Sequence, residues 1–138
     1  MLLRLCAWAL ALMLFGVGLT SNLQAEVPAG LQGRWLAEDL QQRGVIDNLQ
    51  STLEINAEGQ ASGSAGCNRF TGALEVTGGA LDFGPLAVTR MACLPSVNDQ
   101  EARFLEALDA ARSYRLEQGL LYLDDEAGTA VARFSRME

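Results

Sequence analysis

Two cysteines, Cys67 and Cys93, bracket the most constrained stretch of this chain. The segment begins A-G-C-N-R-F-T-G at Ala65, passes through a glycine-punctuated middle, and ends F-G-P-L-A-V-T-R-M-A-C at Cys93. A bond between the two cysteines closes a loop of about 27 residues and stabilises the folded state by roughly 3.5 kcal/mol on the chain-entropy model. An even number of cysteines after residue 25 and an oxidising compartment favour that structural reading. The competing reading is a redox-active pair, for which the spacing does not match the C-x-x-C pattern.

The compartment follows from the N-terminus. Arg4 is a short positive region, Leu5 to Leu19 are uncharged and mostly apolar, and Leu23-Gln24-Ala25 offers a cleavage point after Ala25. That is the pattern of a secretory signal peptide over residues 1–25, and it leaves a domain over residues 26–138. The apolar run is short for a membrane span, although a retained anchor is the alternative. No second such run follows, so no integral membrane segment is expected after signal removal. Cys6 lies inside the apolar run, in a context unlike a lipoprotein processing site. The expected location is periplasmic or secreted, with outer-membrane association only through a partner.

Residues 26–138 hold nine arginines, no lysine and seventeen acidic residues, a formal charge of −8. An acidic surface disfavours nucleic acid and anionic lipid, both of which need basic patches. The sequence has no histidine, which removes Ser-His-Asp and Cys-His catalysis and histidine metal sites. Without lysine there is no Schiff base and no phosphate-loop lysine. Carboxylate or arginine chemistry is all that is left to an enzyme, so neither enzyme, cofactor nor metal is expected. Asp124-Asp125-Glu126 with Gly128 does not fit a calcium loop and reads as a solvated hairpin turn. Gly63-Ser64-Ala65-Gly66 is not a nucleophile elbow.

Alternation and turn residues set the elements. Gly33–Leu40 reads as a first strand anchored by Trp35, and residues 41–50 as a loop. Thr52–Asn56 and the small-residue segment Ala61–Ala65 form a hairpin around Gly59. Small side chains there suggest that something bulky packs close to the backbone, and point to a pocket beside that strand. Gly66–Gly72 is expected to turn the chain, after which Ala73–Thr77 and Ala80–Phe83 make a second hairpin across Gly78-Gly79. Leu86–Arg90 is extended. A helix follows, with Ser96 as N-cap and Val97, Phe104, Leu105, Leu108 and Ala111 on one face. Tyr114–Glu117, Leu120–Asp124 and Thr129–Phe134 complete the strands, the last with Ala130, Ala132 and Phe134 on one face. The fold class is therefore α+β and mainly antiparallel β. It is a curled sheet or partly open small β-barrel of about eight short strands with one α-helix.

Within the bracketed loop, Asn68 reads as an Asx-type turn residue and Phe70 as core. Arg69 and Arg90 either tie down loop carbonyls or carboxylates, or line a pocket for an anionic group.

Gly66-Cys67-Asn68-Arg69-Phe70-Thr71-Gly72, Phe83-Gly84-Pro85 and Thr89-Arg90-Met91-Ala92-Cys93 together resemble the META domain family, HslJ-like bacterial heat-shock and envelope proteins. Glu101–Leu108 and Leu121-Tyr122-Leu123 fit the same pattern. The resemblance implies a small α+β envelope domain associated with heat shock and novobiocin tolerance. It also implies a fold like that of a lipid-cradling pilot protein of type III secretion, with no catalytic residue to carry over. Cys67, Asn68, Arg69, Thr89, Arg90 and Cys93 are its signature positions; Phe70 and Met91 join them as candidate ligand-contacting or loop-organising residues. The expected function is non-enzymatic binding of an apolar ligand or envelope protein segment. A pilot-like accessory module for outer-membrane assembly is the alternative, and a carboxylate-based hydrolase the third.

Overall fold

The computed structural model describes Gly18 and residues 26–138. The expected signal peptide over 1–25, with Cys6 and the cleavage point after Ala25, otherwise lies outside the described residues. The elements are β1 (Gly33–Leu40), β2 (Arg43–Gly44), β3 (Thr52–Ile55), β4 (Gln60–Ser64), β5 (Arg69–Thr77), β6 (Ala80–Phe83) and β7 (Ala87–Val88). After them come α1 (Pro95–Ala110), β8 (Ser113–Glu117), β9 (Leu120–Asp124) and β10 (Ala130–Met137). The fold is α+β and mainly antiparallel.

Eight strands run β1-β3-β4-β5-β6-β8-β9-β10, and β10 pairs back onto β1, so the curled sheet closes into a ring. The two-residue strands are additions: β2 pairs the end of β1, and β7 pairs Phe70 and Thr71 of β5 beyond the reach of β6. Closure is uneven. β1 and β10 share six residue pairs, whereas β6 and β8 meet at Ala80 and Ser113 alone. The backbone bonds Leu81 N–H to Arg112 O (2.9 Å) and Tyr114 N–H to Gly79 O (3.1 Å) hold that narrow seam.

Alternation explains which side chains turn inward. Leu53 and Ile55 on β3, and Phe70 and Leu74 on β5, are buried while their neighbours face out. Helix α1 plugs the ring with Gln100, Phe104, Ala107 and Leu108. Phe104 is fully buried, with ring centroids 5.4 Å from Phe70 and 6.3 Å from Phe134. Burying a side chain of this kind contributes roughly 1.5–3 kcal/mol. Gln100 is the polar member: its Oε1 accepts the Ile46 N–H (2.7 Å), and its Nε2 donates to Ser51 Oγ (3.1 Å). The ring's last hairpins are fastened by Arg115, which donates to both carboxylate oxygens of buried Asp124 (2.6 and 3.2 Å). The Asp124 and Glu117 carboxylates hold its guanidinium well above the usual arginine range.

Several local expectations are corrected. β5 starts at Arg69 rather than after Gly72, because Phe70 and Leu74 lie on the same inward face and Gly72 sits between them. The helix is capped by Leu94 with no side-chain bond, and Pro95 occupies the first turn, where its missing N–H costs nothing. Ser96 is therefore not the cap. A β-bulge between Ala130 and Ala132 buries Val131 beside Ala132, so the single alternating face fails there. The segment at residues 41–50 begins with a hairpin, not a loop, with Gln41 and Gln42 both left-handed (φ 56° and 59°) as its twist requires. The turn at 124–128 is a hairpin, closed by Asp125 Oδ1 accepting the Ala127 and Thr129 N–H groups, but Asp124 is buried, not solvated.

Candidate functional site

The Cys67–Cys93 disulfide is formed, with S–S 2.05 Å and Cα–Cα 6.0 Å. It joins the turn before β5 to the connector that enters α1. Beneath it Asn68, buried among these elements, uses every polar atom of its side chain. Nδ2 donates to Met91 O (3.1 Å) and Glu101 Oε2 (2.8 Å). Oδ1 accepts from the Thr89 hydroxyl (3.0 Å) and the Met91 N–H (2.6 Å). The Asn68 backbone N–H donates to Glu101 Oε1 (2.5 Å), and its carbonyl accepts from Ala65 N–H (2.7 Å). Asn68 is thus no local Asx turn. Its side-chain bonds run to residues more than twenty positions away, binding β5, the end of the strap formed by residues 84–91, and α1 at one point.

The strap and the helix are also two walls of a cleft. Phe83, Gly84, Pro85, Leu86 and Val88 line one side, and Leu105, Asp109 and Arg112 the other, with Asp82 at the rim. The cleft holds about 620 Å³, within the range of small-molecule sites. It opens where β6 and β8 barely pair. Gly72 lets the first wall lie close: a Cβ there would stand 2.6 Å from Leu86 Cδ2 and 2.9 Å from Pro85 O. A second groove of about 600 Å³ runs between Val27, the Ala57–Gly59 turn and Leu74–Thr77 and carries Glu26, Glu58 and Glu75.

The small-residue strand does not border either concavity. Ala61 and Ala65 are fully buried in the core, and a Cβ on Gly63 would lie 2.2 Å from Thr52 O. The bulky neighbour is the backbone of β3, so small size there serves strand packing, and neither concavity lies beside it.

The structure brings Cys67, Asn68, Thr89, Met91 and Cys93 together in one knot. Phe70 points into the core against Phe104. Arg69 and Arg90 lie exposed on the knot's outer surface, where neither guanidinium makes a hydrogen bond or ion pair among the described residues. The Met91 backbone N–H and carbonyl are bonded to Asn68, yet the residue is 61% exposed, and Leu94 nearby is 71% exposed. Sequence reasoning missed Glu101 and the cleft residues Leu86, Leu105, Asp109 and Arg112. Only the helical spacing of Glu101, Leu105 and Asp109, four residues apart, hinted at a shared face. Among the described residues no cluster of three or more metal-binding side chains occurs, and no helix is long and apolar enough to cross a membrane.

The family model described as META domain matches residues 28–138. No curated protein matches the chain. A solved NMR structure of a protein from Burkholderia xenovorans is similar, at 26% identity and TM-score 0.62, covering 77% of this chain and 82% of that one. A second NMR structure is also similar, at 26% identity and TM-score 0.61, covering 76% of this chain and 89% of that one.

Proposed function

The chain belongs to the META domain family, and we propose that it works by binding rather than by catalysis, holding an apolar ligand or protein segment in the bacterial envelope. The observation that carries this reading is the cleft between the strap and α1, whose lining is largely apolar and whose two walls belong to elements that Asn68 joins at Met91 and Glu101. A pocket with preset walls spends little of its binding free energy on ordering itself. The disulfide supports an extracytoplasmic location, since such bonds persist in oxidising compartments. A role in heat-shock or novobiocin tolerance rests on the family resemblance.

The cleft does carry two carboxylates, Asp82 and Asp109. Glycoside hydrolysis needs one of its pair buried so that it stays protonated as an acid. Both of these are exposed, and Asp82 is turned toward Arg112 (3.5 Å), so the pair suits recognition better than proton transfer. In this reading Asn68 and Thr89 organise the loop, while Arg69, Arg90 and the Met91 side chain are left to contact whatever approaches the knot.

Native mass spectrometry of the protein recovered from its own envelope fraction tests the proposal. A population heavier by one noncovalent ligand is expected. Protein that is empty, and that takes up neither apolar probes nor unfolded client segments, overturns it.

A further inference from the structure

We propose that the cleft selects small apolar molecules that carry one positive charge. This rests on the binding reading above and adds the ligand's class to it. The floor offers Phe83, Leu86, Val88 and Leu105 to an apolar body. The rim decides the charge. Arg112 is the cleft's cation, but its Nη1 already donates to Asp109 O (2.7 Å) and Ala111 O (2.7 Å) and faces Asp82 Oδ1 (3.5 Å). Its charge is spent on Asp82 and on carbonyls at the C-terminal end of α1, the negative end of the helix dipole. The Asp109 backbone carbonyl accepts from Arg112, but its carboxylate makes no hydrogen bond or ion pair among the described residues. The rim is left with one uncompensated negative charge beside apolar surface, and the −8 charge of residues 26–138 adds to it. An anionic amphiphile would meet repulsion here, whereas a cationic one would find a partner for its headgroup as its tail leaves water.

Three probes with the same tail test this: decyltrimethylammonium, decyl glucoside and decanoate, each titrated calorimetrically into the purified protein below its micelle concentration. The cation is expected to bind about one-and-a-half- to fivefold tighter than the neutral glucoside, the span of one exposed ion pair. Decanoate should be weakest, and the spread should shrink at about 0.5 M salt, where the Debye length falls to a few ångströms. D109N should bring the cation-to-glucoside ratio close to one. E106Q, an equal loss of charge at an exposed helix position outside the cleft, should keep the ratio. Equal affinities for the three probes, tighter binding of decanoate, or an equal effect of E106Q would each overturn the proposal while leaving an apolar cleft standing. Failure of all three to bind overturns the binding reading as well.

Discussion

Removing the Asn68 side chain should loosen the strap, α1 and β5 together. Truncation to alanine deletes four hydrogen bonds at one buried point. Neutral hydrogen bonds contribute about 1 kcal/mol each in net terms, and one to a charged group about 1.5–3 kcal/mol. Two partners keep another bond. The Thr89 hydroxyl still accepts the Arg69 N–H (3.1 Å), and Glu101 still accepts the N–H of residue 68 (2.5 Å). The Met91 N–H and carbonyl lose their bonds to Asn68, but Met91 and Thr89 are exposed residues, so water recovers part of the loss. The expected cost of N68A is therefore about 2–4 kcal/mol, below the plain sum of the four bonds. Urea unfolding with the disulfide intact measures it as a lower midpoint with unchanged slope. A double-mutant cycle with E101A should show a coupling of about 1 kcal/mol or more, because the two side chains are in direct contact. A loss under about 1 kcal/mol, or additivity with E101A, would refute the knot as the joint between the strap and the helix.

Reduction of Cys67–Cys93, or the C67A/C93A pair, should cost about 2–4 kcal/mol in the same assay, and trace the loss to the unfolded chain. G63A should be the most damaging glycine substitution, at least about 3 kcal/mol or failure to fold, because its Cβ would meet the Thr52 carbonyl rather than a movable side chain. G72A should cost less, about 1–3 kcal/mol, since the Leu86 side chain can rotate away and only the Pro85 carbonyl, 2.9 Å from the added Cβ, must shift. It should also shift the Pro85–Leu86 wall and weaken apolar probe binding, as titration calorimetry would show.

How much of this was legible beforehand depended on the range over which each signal acts. Strands such as β3 and β1, and the turns at Gly59 and Gly78-Gly79, follow from side-chain period and glycine placement, which are local properties. Boundaries failed where tertiary packing overrode them. Thr71-Gly72 looks like a turn in the sequence, yet Gly72 is a strand residue kept small by Leu86 and Pro85 crossing it. The bulge at Ala130 and Ala132 breaks a period of two that the residues themselves continue. Asn68, Thr89 and Met91 were conspicuous as motif residues, but nothing in the sequence pairs them, and their partner Glu101 reads only as an acidic residue of the helix. The cleft was invisible for the same reason. Its walls come from residues 82–88 and 105–112, whose meeting is decided by how the helix plugs the ring.

The disulfide-closed loop is thus best understood as a joint. It holds the strap that forms one wall of the cleft and ties it to the helix that forms the other. Whether that cleft receives an apolar body is the central claim, and methyl NMR of the purified protein titrated with decyl glucoside tests it most directly. Saturable shifts of the Leu86, Val88 and Leu105 methyls are expected, with Leu53 and Ile55 on the far strand unmoved. Shifts confined to Met91 and Leu94, or none at the cleft, would contradict it.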